Sequence, residues 1–214
     1  MKNSVFWLKQ ANLLQWHQNP SFSYKKKKDN HVDWYPDGKI NIFDNCITEN
    51  IKLGLGKKIA IYCVNKDKQT KSYTYDAINE KVDSFSDILI KYTKSEKLHY
   101  TRVMIHASAS IESAVSMLSC AKLGIHFSVI FEDLAPEAIS KRISLFKPNI
   151  FISRVKKKIF KKIFLKEEKS NKKTFFLFFD KLEFLDNKKK VNIKNKAFKG
   201  NKALFTLFTS GSTG

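Results

Sequence analysis

The sequence predicts an α/β fold built on a mainly parallel sheet flanked by helices. The first observation behind this is a rhythm. From Arg102 onward, short apolar runs alternate with stretches of helical periodicity: Arg102-Val103-Met104-Ile105-His106, then His126-Phe127-Ser128-Val129-Ile130-Phe131, then Asn149-Ile150-Phe151-Ile152-Ser153. The second is the shortness of the joins, because alternating strands and helices with short connections wind into a parallel sheet. The third is the closing run Ala203-Leu204-Phe205-Thr206-Leu207-Phe208, which reads as one more buried strand. It leads straight into Thr209-Ser210-Gly211-Ser212-Thr213-Gly214.

Taken in order, residues 5–16 place Phe6, Trp7, Leu13, Leu14 and Trp16 between polar positions, the pattern of a short amphipathic helix. Asn19-Pro20 is expected to end it, since proline disfavours a helical residue before it. Lys25 to Lys28 with Asp29-Asn30 read as a solvated loop, and Pro36-Asp37-Gly38 as a turn. Residues 41–47 form a partly buried segment. Ile59-Ala60-Ile61-Tyr62-Cys63-Val64 and Lys71-Ser72-Tyr73-Thr74-Tyr75 read as a strand and its return. Ile78, Val82, Phe85, Leu89 and Tyr92 recur every three or four residues, one face of a core helix, with Glu80, Lys81, Asp83 and Asp87 mostly off that face.

Beyond Arg102, Ser108 or Ser110 can cap the helix carrying Ala114, Val115, Leu118 and Ala121. Gly124 stops that helix, as a C-terminal glycine does. Pro136 and Glu137 suit a first helical turn, and Ile139, Ile143 and Phe146 give its buried stripe. Residues 154–173 are lysine-rich with interleaved Ile and Phe, which reads as a lysine-coated surface helix or a basic amphipathic one facing an anionic surface. Thr174-Phe175-Phe176-Leu177-Phe178-Phe179 is an apolar strand. Residues 186–202 read as a polar, mobile connector.

A chain of 214 residues has room for a real core. Its composition is 43% hydrophobic and 28% charged, ordinary for a globular protein. The net charge of +20 and pI near 9.8 would suit a polyanionic partner. Yet Arg102, Arg142 and Arg154 are the only arginines, and specific readers of phosphate and guanine rely on arginine's planar fork. The lysines also lie in scattered blocks, so no specific nucleic-acid partner is expected. Cys46, Cys63 and Cys120 are odd in number, widely spaced and lack a C-x-x-C pair, against a disulfide framework or zinc site. The N-terminus has no sustained apolar segment or cleavage signature, and no run is long enough to span a bilayer. A cytoplasmic location is the expectation.

The hydroxyl-rich stretch from Thr209 to Gly214 is the main candidate site. Gly211 and Gly214 tolerate left-handed backbone and leave room for a close ligand. Backbone N–H groups together with the hydroxyls of Thr209, Ser210, Ser212 and Thr213 make donors suited to phosphate oxygens. A plain Ser/Gly loop tip is the alternative reading of Gly-Ser-Thr-Gly alone. A Walker-type loop would need Gly-Lys-Ser/Thr to follow. His106 and His126, on strands, read as core or edge residues.

In their order and spacing these blocks resemble the N-terminal part of the AMP-forming acyl-CoA synthetases, the acetyl-CoA and propionyl-CoA synthetase branch among them. Phe6-Trp7, Ala11, Leu13 and Trp16 resemble the branch's entry segment. Trp34-Tyr35-Pro36-Asp37-Gly38-Lys39-Ile40-Asn41 with Asn45-Cys46-Ile47 is similar to its Trp-Phe…Gly-x-Leu-Asn…Asn-Cys-Leu-Asp stretch. Glu112-Ser113-Ala114-Val115, Cys120-Ala121-Lys122-Leu123-Gly124, Ser128-Val129-Ile130-Phe131 and Arg142-Ile143 follow in family order, and residues 205–214 are similar to the adenylate-forming loop. The chain departs from the pattern in three places. The histidine of Ile125-His126-Phe127-Ser128 stands one step earlier than in the family's Ala-x-His-Ser, Glu132-Asp133 replaces small residues, and the basic turn near Arg154 lacks glycines.

The resemblance implies an entry segment over residues 1–50 and a partial AMP-binding domain over 51–214, cut off at the phosphate loop. It implies ATP, Mg2+ and coenzyme A as reactants or cofactors, a small carboxylate such as acetate or propionate as substrate, and acyl-CoA, AMP and pyrophosphate as products by way of an acyl-adenylate. Thr209, Ser210, Gly211, Ser212, Thr213 and Gly214 would bind the phosphates, and Arg154, Lys156 and Lys157 would face coenzyme A. No catalytic side chain and no metal ligand is assigned within the chain, because the substrate's own carboxylate is the nucleophile. The chain alone is expected to be inactive. The competing readings are a non-catalytic basic binding module and a different phosphate-loop nucleotide-binding enzyme.

Overall fold

A computed structural model describes residues 2–28, 31–65, 67–95, 100–154, 174–179 and 191–209. The expected alternation is present. Strand β6 (Arg102–His106) is followed by helix α3 (Ile111–Leu123), β7 (His126–Ile130), α4 (Pro136–Phe146) and β8 (Ile150–Ser153), with β9 at Phe175–Phe178 and β11 at Phe205–Thr206. These strands form one sheet in the order β11-β7-β6-β8-β9, every pairing parallel. Val103 registers with Phe127 on one side and Ile150 on the other.

Helices cover both faces of this sheet. Val103, Ile105, Phe127, Ile150 and Ile152 point to one side, where they pack with Val115 and Ala121 of α3 and with Ile78, Val82, Phe85 and Leu89 of α2 (Tyr75–Ser95). Met104, Ile130 and Phe151 point to the other side and pack on Ile139, Ile143 and Phe146 of α4. The alternation of side chains along each strand thus divides one apolar run between two cores.

Local signals set the helix ends. Ser110, in extended backbone, accepts a hydrogen bond from the Ser113 amide at 3.2 Å, satisfying a donor with no partner inside the helix. Gly124 ends α3 at φ +65°, its amide reaching back to Ala121 and Cys120. A Cβ at Gly124 would lie 2.4 Å from the Phe198 ring, so the position needs glycine for space as well as conformation. Pro136 opens α4. Ser110→Ala is expected to lower stability by about 1 kcal/mol, with Ser110→Thr near wild type, measured by urea unfolding.

The first half of the chain departs more from expectation. Helix α1 spans Lys2–Ala11 and stops well before Pro20. The Trp16 indole donates to the Ala11 carbonyl at 2.8 Å, so the chain folds back on the helix end instead of extending it. Lys25 and Lys26 are not loop residues: β1 (Tyr24–Lys26) pairs antiparallel with β2 (Val32–Trp34), and the lysines are its solvent-facing members. The turn at Pro36-Asp37 closes as expected, Gly38 donating to the Tyr35 carbonyl at 3.0 Å. It leads into β3 (Lys39–Ile40). Two π-helical turns, Asp44–Thr48 and Ile51–Leu55, follow. β4 (Ile59–Val64) and β5 (Thr70–Thr74) form a separate antiparallel ribbon, and Tyr75 belongs to α2 rather than to the returning strand.

Three further expectations are corrected. Asp83, placed off the helix face by periodicity, is buried because Lys122 of α3 meets it in an ion pair. Residues 191–202 are tied down: β10 (Phe198–Lys199) pairs antiparallel with β3, Asn195 bonds Asp44 and Thr48, and Asn41 Nδ2 donates to the Lys196 carbonyl at 2.8 Å. The closing run at 203–208 is a two-residue edge strand, not a buried one, with Phe205 54% and Leu207 67% exposed. It has one strand neighbour among the described residues, and only its inward side chains find cover. The lysine-rich stretch at 155–173 lies outside the described residues. Among those described, no helix is long and apolar enough to cross a membrane.

Candidate functional site

The strand order marks where such a sheet opens. From β6 the chain steps to β7 on one side, then crosses to β8 on the other, so the direction of winding reverses between β6 and β8. In open α/β sheets ligands bind beyond the carboxyl ends of the strands at that reversal. The last residues there are His106 and Ser153, paired in register and joined by a hydrogen bond of 2.9 Å between Nδ1 and Oγ. The His106 ring stacks on Phe151 with centroids 5.8 Å apart. Burial holds its imidazole below the ordinary pKa, with the Glu132 carboxylate pulling the other way. Strand ends carry such groups because the sheet stops supplying partners there.

Charged groups rim this end. Arg154, directly after β8, pairs with Glu112 in the first turn of α3, Nη2 to Oε1 3.1 Å. Glu112 also sits where the positive end of the helix dipole favours a carboxylate. Glu132 follows β7, one of its oxygens buried without a hydrogen-bond partner among the described residues. The sequence motifs give no site role to Ser153, Glu112 or Glu132, although Glu112 stands in a family block and Glu132 at a departure from one; the signal that places them here is their position at or just past a strand end or at a helix start.

The expected site residues divide. β11 runs parallel to β7, so the chain reaches Thr209 travelling toward the carboxyl end of the sheet. Ser210, Gly211, Ser212, Thr213 and Gly214 lie outside the described residues, as do Lys156 and Lys157. Arg154 is described, turned onto Glu112. At the start of β7, His126 is bonded through Nδ1 to the Tyr100 hydroxyl at 3.0 Å and through Nε2 to Thr206 Oγ1 at 2.9 Å. Burial first, and the Arg102 guanidinium second, hold it below the ordinary imidazole pKa.

A cavity of about 570 Å3 lies elsewhere, lined by His17, Asp44, Asp83, Lys122 and Asn195 among others. Lys122 and Glu112 stand at opposite ends of α3, ten residues or roughly 15 Å apart along the axis. The polar groups in this cavity are engaged with one another: His17 with Asp44 at 2.6 Å, Lys52 with Glu49 at 2.7 Å, and Lys122 with Asp83. These contacts tie the N-terminal segment to the first π-helical turn and α2 to α3, while Ile193 and Asn195 bond Asp83 and Asp44. The polar groups do not converge on an open centre.

Residues 53–214 match the family described as AMP-binding enzyme, and residues 2–46 match the acetyl-coenzyme A synthetase N-terminus. The chain is 27% identical over 138 residues to the acetyl-coenzyme A synthetase of Streptomyces coelicolor, 64% of this chain and 21% of that protein. It is 33% identical over 146 residues to the Bartonella henselae acetyl-coenzyme A synthetase, 64% of this chain and 21% of that one. Against the human mitochondrial acyl-CoA synthetase short-chain family member 3 it is 28% identical over 149 residues, 69% and 21% of the two chains. The fold matches the acetoacetyl-CoA synthetase from Streptomyces lividans with a TM-score of 0.76 at 13% identity, over 100% of this chain and 35% of that one. The chain thus spans about a fifth of the length of these curated relatives.

Proposed function

This chain belongs to the AMP-binding enzyme family, and from that premise we propose that it is the N-terminal part of an ATP-dependent, AMP-forming short-chain acyl-CoA synthetase. Residues 1–50 are the entry segment and 51–214 the opening of the adenylation domain. The observation that carries the proposal is that the parallel edge strand β11 brings the chain to Thr209 travelling toward the carboxyl end of the sheet, where the sequence continues as Ser-Gly-Ser-Thr-Gly. The match of residues 2–46 to the acetyl-coenzyme A synthetase N-terminus and the likeness to acetyl-coenzyme A synthetases over 138 residues support the acyl branch.

In the proposed reaction a carboxylate oxygen of acetate or propionate attacks the α-phosphorus of MgATP. The bond to pyrophosphate breaks, leaving an acyl-adenylate. The coenzyme A thiol then attacks the acyl carbon and AMP departs, carrying the bonding electron pair. Charge spreads over phosphate oxygens in the first step, so the chemistry needs donors already in position. The hydroxyls of Thr209, Ser210, Ser212 and Thr213 and the backbone at Gly211 and Gly214 fill that role in this reading. Arg154, Lys156 and Lys157 provide positive charge toward the phosphates of coenzyme A; for Arg154 that means leaving Glu112. The compartment proposed is the cytoplasm, with no specific nucleic-acid partner.

The test is ATP–pyrophosphate exchange with acetate or propionate. It is run on purified 1–214 and on a polypeptide continued past Gly214 along the same reading frame. Exchange is expected from the longer form alone. Each donor missing from a charge-stabilising site costs on the order of 10²–10³ in rate, and the short form holds only a fifth of the length of its relatives. Exchange by 1–214 itself would show that the active site has been misassigned. A stop codon after Gly214, with no exchange from any form, would favour a non-catalytic basic module.

A further inference from the structure

Strand β11 is two residues long and has one strand neighbour in the described sheet. So short an edge strand draws little hold from its backbone ladder, and its side chains decide whether it stays in register. They alternate. Phe205 stacks on Phe127 with centroids 5.8 Å apart, and Leu207 is exposed. Phe208 packs against the core on the α4 side, with the Arg142 guanidinium 5.5 Å from its ring centre. Thr206 reaches His126 through its hydroxyl, a side-chain hydrogen bond that adds to the backbone bond from the Phe127 amide to the Leu204 carbonyl at 3.1 Å.

The imidazole is itself held on several sides. Tyr100 bonds one nitrogen and Thr206 the other. The Phe146 ring meets it edge-on, centroids 5.1 Å apart, and Arg102 lies 5.8 Å from the centres of both Tyr100 and Phe146. A neutral ring carries one N–H, so one hydroxyl accepts from it and the other donates to it, and both bonds form in either tautomer. The position along the strand matters as much. Adjacent residues of a strand face opposite ways, so a histidine one step later would stand where Phe127 meets Phe205, away from Thr206.

We infer that His126 is a positioning residue for the loop beginning at Thr209, fixing β11 in register on β7 through Thr206. This rests on the reading of 209–214 as the phosphate loop. A slip of one residue would move Thr206 by about 3.3 Å along β7, and the start of the loop with it. Misplacement by even 1 Å can cost a reacting geometry roughly a hundredfold.

Amide hydrogen exchange on the 1–214 chain tests the anchoring without any activity. His126→Phe keeps an aromatic ring beside Phe146 and removes both hydrogen bonds; Thr206→Val removes one hydroxyl at nearly constant shape. Either change is expected to speed exchange across 204–208 by about fivefold, the worth of one hydrogen bond. His126→Gln, which keeps a donor and an acceptor, should stay within about twofold, and amides of β8 should not change. The double variant should exchange no faster than the more affected single one, since both remove the same bond. Exchange across 204–208 that is unchanged in Thr206→Val overturns the inference, even if His126→Phe unfolds the chain. In the longer polypeptide, His126→Phe should raise the KM for ATP about fivefold or more while leaving that for coenzyme A unchanged, with His126→Gln restoring it. A wild type inactive with ATP, together with the expected amide exchange, would refute the phosphate-loop reading and leave the anchor standing; a KM for ATP unmoved by His126→Phe would refute the positioning role.

Discussion

Lys122→Met is expected to destabilise the 1–214 chain by about 3–5 kcal/mol, the usual consequence of leaving one partner of a buried ion pair alone. Both side chains are almost fully enclosed, Asp83 5% and Lys122 3% exposed. The pair is also a junction. The Asp83 carboxylate accepts from the Ile193 amide at 3.4 Å, Asn41 Nδ2 donates to the Lys122 carbonyl at 3.1 Å, and the ammonium lies 4.5 Å from the Phe43 ring centre. Taking away the ammonium leaves a carboxylate with one weak backbone donor, in a place water reaches poorly. The neighbouring polar cavity allows some relaxation, which sets the lower end of the range. The double change Asp83→Leu with Lys122→Met should recover most of the loss, because removing both charges removes the desolvation cost as well. Urea unfolding of the four chains gives the cycle. A single-variant loss under about 1 kcal/mol, typical of exposed pairs, would show that the pair is open to solvent.

That pair also illustrates what the sequence could not show. The core of the sheet was legible because its signals are local: apolar runs for β6, β7 and β8, a serine before α3, a glycine after it, a proline opening α4. Each fixes backbone within a few residues of itself. Asp83 and Lys122 are 39 residues apart, and nothing near either one states that they meet. By periodicity alone a charged residue beside an apolar stripe belongs in water. The hairpin of β1 and β2 was hidden for a related reason: its solvent-facing lysines look like loop composition, and only pairing with Val32–Trp34 makes them a strand. The polar connector was read as mobile because its anchors, Asn41 and Asp44, lie about 150 residues earlier. At the candidate site the direction of approach was readable from the strand preceding Thr209. The exposure of that strand was not, since burial depends on having a neighbour on each side.

Phe151→Ala is expected to cost about 3–5 kcal/mol, the range for deleting a fully buried aromatic ring. Phe151 is wholly inaccessible to solvent, in the interior strand β8, and it packs with Met104, Ile143 and Phe146 on the α4 side. Phe131→Ala is the matched control. Phe131 lies just past the end of β7 and is 65% exposed, so its loss should stay within about 0.5 kcal/mol. The same truncation therefore separates the two by several kcal/mol on burial alone. It also uncovers the face of His106 that stacks on Phe151. Because burial is the main cause of the lowered His106 pKa, water in the new cavity should raise that pKa toward its ordinary value, readable by NMR titration of the imidazole. A histidine whose native pKa is depressed binds protons more readily once unfolded, so its contribution is full above about pH 6.5 and declines as pH falls below that value. Phe151→Ala should flatten this acid limb relative to wild type, while Phe131→Ala leaves it in place. A His106 titration unchanged by Phe151→Ala would mean that the ring does not keep water from the junction of β6 and β8.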